Sequence, residues 1–155
     1  MIQNSKIIHP KRISIIGAGT IGSAVLKNLV DHANIVKIID QNQSTLHHIP
    51  ESVLNNNNVT TYCGDGTKEE VLRKSGLQDT EICFALTGSD SVNLFIAQIA
   101  LHIIRIPNVY SYIKDPVLAN FYDTLGIETI NRTAIVVNNI LDDLDELNQN
   151  TNEIE

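Results

Sequence analysis

The sequence predicts a doubly wound α/β domain: one parallel sheet in the strand order 3-2-1-4-5-6, with helices on both faces. Three observations carry this. Short apolar runs alternate with helically periodic segments along the whole chain, an alternation that calls for parallel strands joined by right-handed crossovers. A glycine pattern, Gly17-x-Gly19-x-x-Gly22, stands between the first apolar run and the first helix. Asp40 closes the second run, eighteen residues after Gly22.

The elements follow in order. "ISII" (13–16) reads as a short buried strand, and Gly22 to Val30 as a helix with Ile21, Val25 and Leu29 four apart on one face. "IVKIID" (35–40) is the second strand. A weak helix at 44–48 is limited by Pro50. "VTTYC" (59–63) is strand three, and "TKEEVLRKSG" (67–76) a short helix closed by Gly76. "EICFAL" (81–86) is strand four. A long helix is expected over 91–105, with Val92, Phe95, Ile96, Ile99, Ala100 and Ile103 along one buried side. "NVYSYI" (108–113) is strand five. "PVLANFYDTLG" (116–126) opens on a proline suited to a first helical turn and ends on a glycine stop. "IETI" (127–130) is an edge strand, and 133–147 the last helix.

The 155 residues suit one domain. Hydrophobic residues at 43% and charged residues at 19% describe a globular chain, not a disordered one. We expect an extension over 1–10, the domain over 11–147, an acidic tail over 148–155 and no second domain. The net charge is -7, but six carboxylates and no Lys or Arg fall in the last fifteen residues. The rest of the chain is near neutral, which argues against a nucleic-acid partner. No run approaches the ~20 apolar residues of a membrane span, so direct insertion is not expected. Cys63 and Cys83 sit in apolar runs and read as core residues in a reducing compartment. The five histidines, His9, His32, His47, His48 and His102, fit no metal-binding spacing.

The glycines have distinct tasks. Gly17 permits a tight turn, Gly19 lets a phosphate approach the backbone, and Gly22 lets the helix pack against the strand. The helix amino terminus offers free N–H groups to an anion. Asp40 is placed to accept from ribose hydroxyls, and its charge disfavours a 2′-phosphate. Gln41 and Asn42 supply no arginine to reverse that.

"CGDGTKEEVLRKSGLQDTEICFALTGSDSVNLFIA" (63–97) narrows the reading further. Thr67 and Glu70 have the spacing of a capping box. Asp65, at the end of strand three, is either a turn aspartate bonded to its own backbone or an acceptor for an adenine amine. Thr87 and Gly88 end strand four, facing the second half of a dinucleotide. Asp90 is expected at the cap of the long helix, and Asn93, one turn in, is placed to hold neighbouring loops.

With "GAGTIG", Asp40, "GDGTKEEVLRKSGL", "TGSDSVN" and "DPVLANFYDTLGIETI", the chain resembles the TrkA-N, or RCK amino-terminal, domains over about residues 11–140. The resemblance implies a non-catalytic Rossmann unit that binds NAD(H) or an adenine nucleotide and forms a homodimer or higher ring. It also implies regulation of a potassium channel or transporter from the cytoplasmic face, with any membrane association made through that partner. Carried over by position, Gly17, Ala18, Gly19, Thr20, Ile21 and Gly22 would line the phosphates. Asp40 and Gln41 would meet the ribose, and Gly64, Asp65 and Gly66 the adenine edge. Thr87 and Gly88, supported by Asp90 and Asn93, would face the distal side.

Two departures bear on the ligand. Thr20 and Tyr112 stand where relatives often carry arginine. Each lost charged hydrogen bond is worth ~1.5–3 kcal/mol, so AMP, ADP or NAD(H) is favoured over ATP. A third departure is expected: many relatives continue with a carboxyl-terminal RCK domain, whereas these 155 residues end in an acidic tail, as for a stand-alone regulator or a fragment of a longer one. The alternative is a small NAD-dependent oxidoreductase whose active site a partner subunit completes. Against it, no residue pattern supplies the acid or base that a hydride transfer needs.

Overall fold

The computed structural model describes residues 11–30 and 34–152, with side chains to residue 144. The expected 1–10 extension, His9, His32 and the last three tail residues lie outside the described residues. The elements are β1 (Arg12–Ile16), α1 (Thr20–Val30), β2 (Ile35–Asp40), α2 (Gln43–His47), α3 (Glu51–Leu54), β3 (Val59–Cys63), α4 (Glu69–Lys74), β4 (Ile82–Ala85), α5 (Asp90–Gln98), β5 (Asn108–Tyr112), α6 (Pro116–Asp123), β6 (Glu128–Ile130) and α7 (Arg132–Asn152). The six strands form one sheet in the order β3-β2-β1-β4-β5-β6, and each pairing is parallel.

Apolar runs become strands here because both faces of the sheet are covered. Ile15 and Ile38 point into one cluster with Leu26 of α1 and Leu46 of α2. Their neighbours Ile16 and Ile39 point into the other, with Leu72 of α4 and Ile96 and Ala97 of α5. Each such isoleucine contributes roughly 1.5–3 kcal/mol by leaving water. A small third cluster joins Leu94, Ile113 and Ala119 between α5 and α6.

Several expectations change. Helix α4 starts at Glu69 with Lys68 as its cap, so Thr67 does not cap it and the capping box is absent. Thr67 turns back instead to Asp65, donating from both N–H and hydroxyl. The long helix passes into a π-helical stretch over Ile99–Ile104, closed by Arg105 at φ 67°. Its buried face is Asn93, Leu94, Ile96, Ala97, Ile99 and Ala100. Phe95 and Ile103 are exposed, because the inward stripe runs through Asn93 and Ala97 and the π turn then rotates the residues beyond. Ser89 is the cap of α5, and Asp90 is its first residue. Cys83 is buried, its thiol pushed up to about 12 by desolvation, but Cys63 is exposed. Cys63 lies on the edge strand β3, where Thr60 and Thr61 are exposed as well.

Candidate functional site

A cleft of about 480 Å³ opens along the carboxyl ends of β3, β2, β1 and β4. That is the side on which this architecture presents ligand-facing groups, and the volume suits a small molecule. The glycine loop forms its floor. Gly17 turns at φ 107°, and a Cβ there would lie 2.7 Å from the carbonyl oxygen of Leu86. A Cβ on Gly22 would lie 1.8 Å from the oxygen of Gly17. The loop is thus pressed between β4 and α1, and only hydrogen side chains fit. At Gly19 a Cβ would meet nothing within 4 Å, which leaves room for backbone to approach a ligand.

Asp40 is fixed by two backbone amides. Its Oδ2 accepts from the N–H of Ala18 at 2.8 Å and its Oδ1 from that of Asn42 at 2.8 Å. One loop amide is therefore committed to protein. Each carboxylate oxygen keeps a further lone pair. Asp65 Oδ1 accepts from the Thr67 N–H at 2.9 Å and hydroxyl at 2.7 Å. These bonds, the hydroxyl's first, hold the Asp65 carboxyl below its usual range, against a smaller opposing desolvation; Lys68 adds its attraction.

On the β4 side, Asn93 is fully buried and satisfies all its side-chain groups. Its Oδ1 accepts from the Thr87 N–H (2.7 Å) and hydroxyl (2.6 Å). Its Nδ2 donates to the carbonyls of Thr87 (3.1 Å) and Tyr112 (2.8 Å). Asp90 Oδ2 accepts from the N–H groups of Lys114 and Asp115 at 3.0 and 3.1 Å. Both residues brace the loops after β4 and β5.

Of the nominated residues, Gly17, Gly19, Asp40, Gln41, Gly64, Asp65, Gly66, Thr87 and Gly88 line the cleft. Ala18, Thr20, Ile21, Gly22, Asp90 and Asn93 do not. Ala18 and Thr20 face a separate polar groove of about 280 Å³ beside Ser23, Thr45 and His48. Ile21 faces an apolar groove of about 320 Å³ between α1 and α7. Tyr112 lines that same groove, not the cleft. The cleft adds Asn42, Thr45, Thr67 and Ser89, which the sequence reading did not nominate. Their signal was position alone: each lies beside a nominated residue or on the first turn after β2.

The charge pattern is plain. Among the described residues no Lys, Arg or His lines the cleft, while two carboxylates do. Among the described residues no group of three or more His, Cys, Asp or Glu could hold a metal ion, and no helix is long and apolar enough to cross a membrane. The cleft can thus grip sugar hydroxyls and meet a phosphate with peptide dipoles, but it neutralises little negative charge.

Comparison with known proteins gives a family and a fold. The TrkA-N domain model matches residues 13–133. A Trk system potassium uptake protein TrkA from Streptomyces coelicolor is 30% identical over 118 residues, covering 76% of this chain and 51% of that protein. One from Vibrio alginolyticus is 29% identical over 105 residues, covering 68% and 22%. The chain therefore spans about half of the first relative and about a fifth of the second. Among solved structures, the GsuK RCK domain superposes with a TM-score of 0.64 at 26% identity, covering 88% of this chain and 28% of that one. The Shewanella denitrificans Kef C-terminal domain in AMP-bound form gives 0.67 at 21% identity, covering 87% and 80%.

Proposed function

The chain belongs to the TrkA-N domain family, and from that premise we propose that it is a non-catalytic sensor domain that binds an adenine nucleotide and passes its occupancy to a potassium-transporting membrane partner. The observation that carries this is Asp40. Its carboxylate is immobilised beside the glycine loop, at the rim where a ribose would lie, with acceptor capacity left on both oxygens. The low-charge members of the ligand class, NAD(H), AMP and ADP, suit the cleft better than ATP, because each added phosphate brings charge that no lining cation meets.

The membrane partner is proposed from the relatives' names. Trk system potassium uptake proteins match most of this chain, and a domain of the GsuK channel shares its fold and 26% of its residues. The lever is proposed to be α7. Its described side chains are all exposed, including Ile135, Val136, Val137, Ile140, Leu141 and Leu144. A homodimer or ring built through such a face would turn a change at the cleft into a change between subunits.

Calorimetric titration with AMP, ADP, NADH and ATP tests the reading. We expect binding, with ATP the weakest, and a loss of about tenfold to hundredfold in AMP affinity for Asp40→Ala, as for one charged hydrogen bond. Wild-type protein indifferent to all four compounds would overturn the proposal.

A further inference from the structure

The cleft is short of positive charge, yet one ammonium stands at its edge. Lys114 follows β5 and is exposed. Its Nζ donates to the carbonyl oxygen of Gly88 at 2.7 Å, and Gly88 lines the cleft. A neutral carbonyl is a weak partner for an ammonium compared with a carboxylate or phosphate. The neighbouring carboxylates bond backbone instead of this ammonium: Asp90 Oδ2 accepts from the N–H groups of Lys114 and Asp115, and Asp115 Oδ1 from the N–H of Val117, while Asp90 Oδ1 is buried without a hydrogen-bond partner. Among the described residues Lys114 forms no ion pair.

Its backbone, by contrast, is tightly held. The N–H of Lys114 is bonded to Asp90, and its carbonyl accepts from Nδ2 of Asn131 at 3.2 Å. A fixed root with its head bonded to a neutral carbonyl, on a flexible four-carbon stem, is a cation that can exchange that partner for an anionic one.

Resting on the reading of the cleft as an adenine-nucleotide site, we propose that Lys114 is its specificity-determining cation: it leaves Gly88 O and bonds the distal phosphate of the bound ligand. The sheet order places it correctly. Asp65 and the proposed adenine end lie beyond β3, at one edge of the sheet. Gly88 and Lys114 lie at the other end of the cleft, after β4 and β5, where the second phosphate of a diphosphate would arrive. One ammonium matches that single added group and leaves a third phosphate unmatched. The chemical class selected is therefore a nucleoside diphosphate, or a dinucleotide with its two bridging phosphates.

A second cation serves as the control. Lys68 is exposed beside Asp65, at the opposite end. The experiment titrates ADP and adenosine into the full chain and into Lys114→Gln, Lys114→Arg and Lys68→Gln. Lys114→Gln should lose about tenfold or more in ADP affinity, the worth of a charged hydrogen bond, with adenosine affinity within twofold of wild type. Lys114→Arg should stay within about threefold for ADP, and Lys68→Gln should lose less than Lys114→Gln. An equal loss for adenosine and ADP in Lys114→Gln, or ADP binding unchanged by it, overturns the role of Lys114 while leaving the cleft's function standing. Wild type that binds neither compound overturns both.

Discussion

The two sides of the cleft are held by different means. On the β1–β2–β3 side, carboxylates bond to backbone amides. Asp40 ties the end of β2 to Ala18 and Asn42, and Asp65 bonds Thr67 two residues on. On the β4–β5 side, long side chains bridge separate loops. Asn93 joins Thr87 to Tyr112, Asp90 holds Lys114 and Asp115, and Lys114 reaches back to Gly88. The same loop after β5 is tied to α7, since Asn131 donates to the carbonyls of Ile113 and Lys114 and accepts from the N–H of Ala134. One side is a seat fixed by carboxylate-to-amide bonds. The other adds, to bonds of the same kind at Asp90, side-chain ties from Asn93, Lys114 and Asn131 that end at the root of the exposed helix. On the proposed function, a ligand that touches both sides would reach α7 through the second, the side whose ties run to that helix.

The strongest way to break this comparison is Gly22→Ala. The new Cβ would lie 1.8 Å from the oxygen of Gly17, a backbone atom with Ile15 behind it. Either the loop or α1 must shift. We expect a loss of about 3 kcal/mol, the upper end of overpacking costs, measured by urea unfolding, together with loss of nucleotide binding. A variant as stable as wild type would show that the seat is not rigid.

Asn93→Ala probes the other side, with a smaller effect. It leaves the buried carbonyl of Tyr112 and the N–H of Thr87 without those bonds. The cost should be about 2 kcal/mol, within the range for stranded buried polar groups. It should also raise amide hydrogen exchange across the loops after β4 and β5 while leaving β2 and β3 protected. Equal loss of protection on both sides would end the distinction drawn between them.

How much of this was legible in the sequence follows the same division. Sheet order, glycine loop and Asp40 could be read because each rests on a local pattern: apolar runs, glycine spacing and a strand-end acid. Asn93 as a loop holder could be read from its place one turn into α5. Its partner Tyr112, nineteen residues on, could not. The exposure of Phe95 was hidden because the helical stripe is one residue out of phase with the buried face, and the π turn at Ile99 has no signature in residue type. The family resemblance places Tyr112 where relatives often carry an arginine. In a strand, however, successive side chains face opposite sides, and Tyr112 falls on the α1 side with Phe84. Thr67 suited two local bonds equally well, as helix cap or as partner of Asp65, and only the start of α4 at Glu69 decided between them.

The smallest effect concerns that pair and sharpens the picture of a seat fixed by amides. The Asp65 carboxyl is held below the ordinary aspartate value, first by the Thr67 hydroxyl and then by the Thr67 N–H. A depressed folded-state value means these bonds contribute stability that is present above the unfolded carboxyl's pKa and lost as pH falls through the folded one. The window thus lies below about pH 4. Asp65 is only partly buried, so water screens the interaction and the change in stability is slight. Thr67→Val removes the larger of the two bonds and keeps the backbone one. Carboxyl carbon chemical shifts followed by NMR should show Asp65 titrating closer to its ordinary value in the variant, with Asp40 unmoved. If Asp65 titrates identically in both proteins, the hydroxyl does not hold it, and that edge of the cleft is looser than its hydrogen bonds suggest.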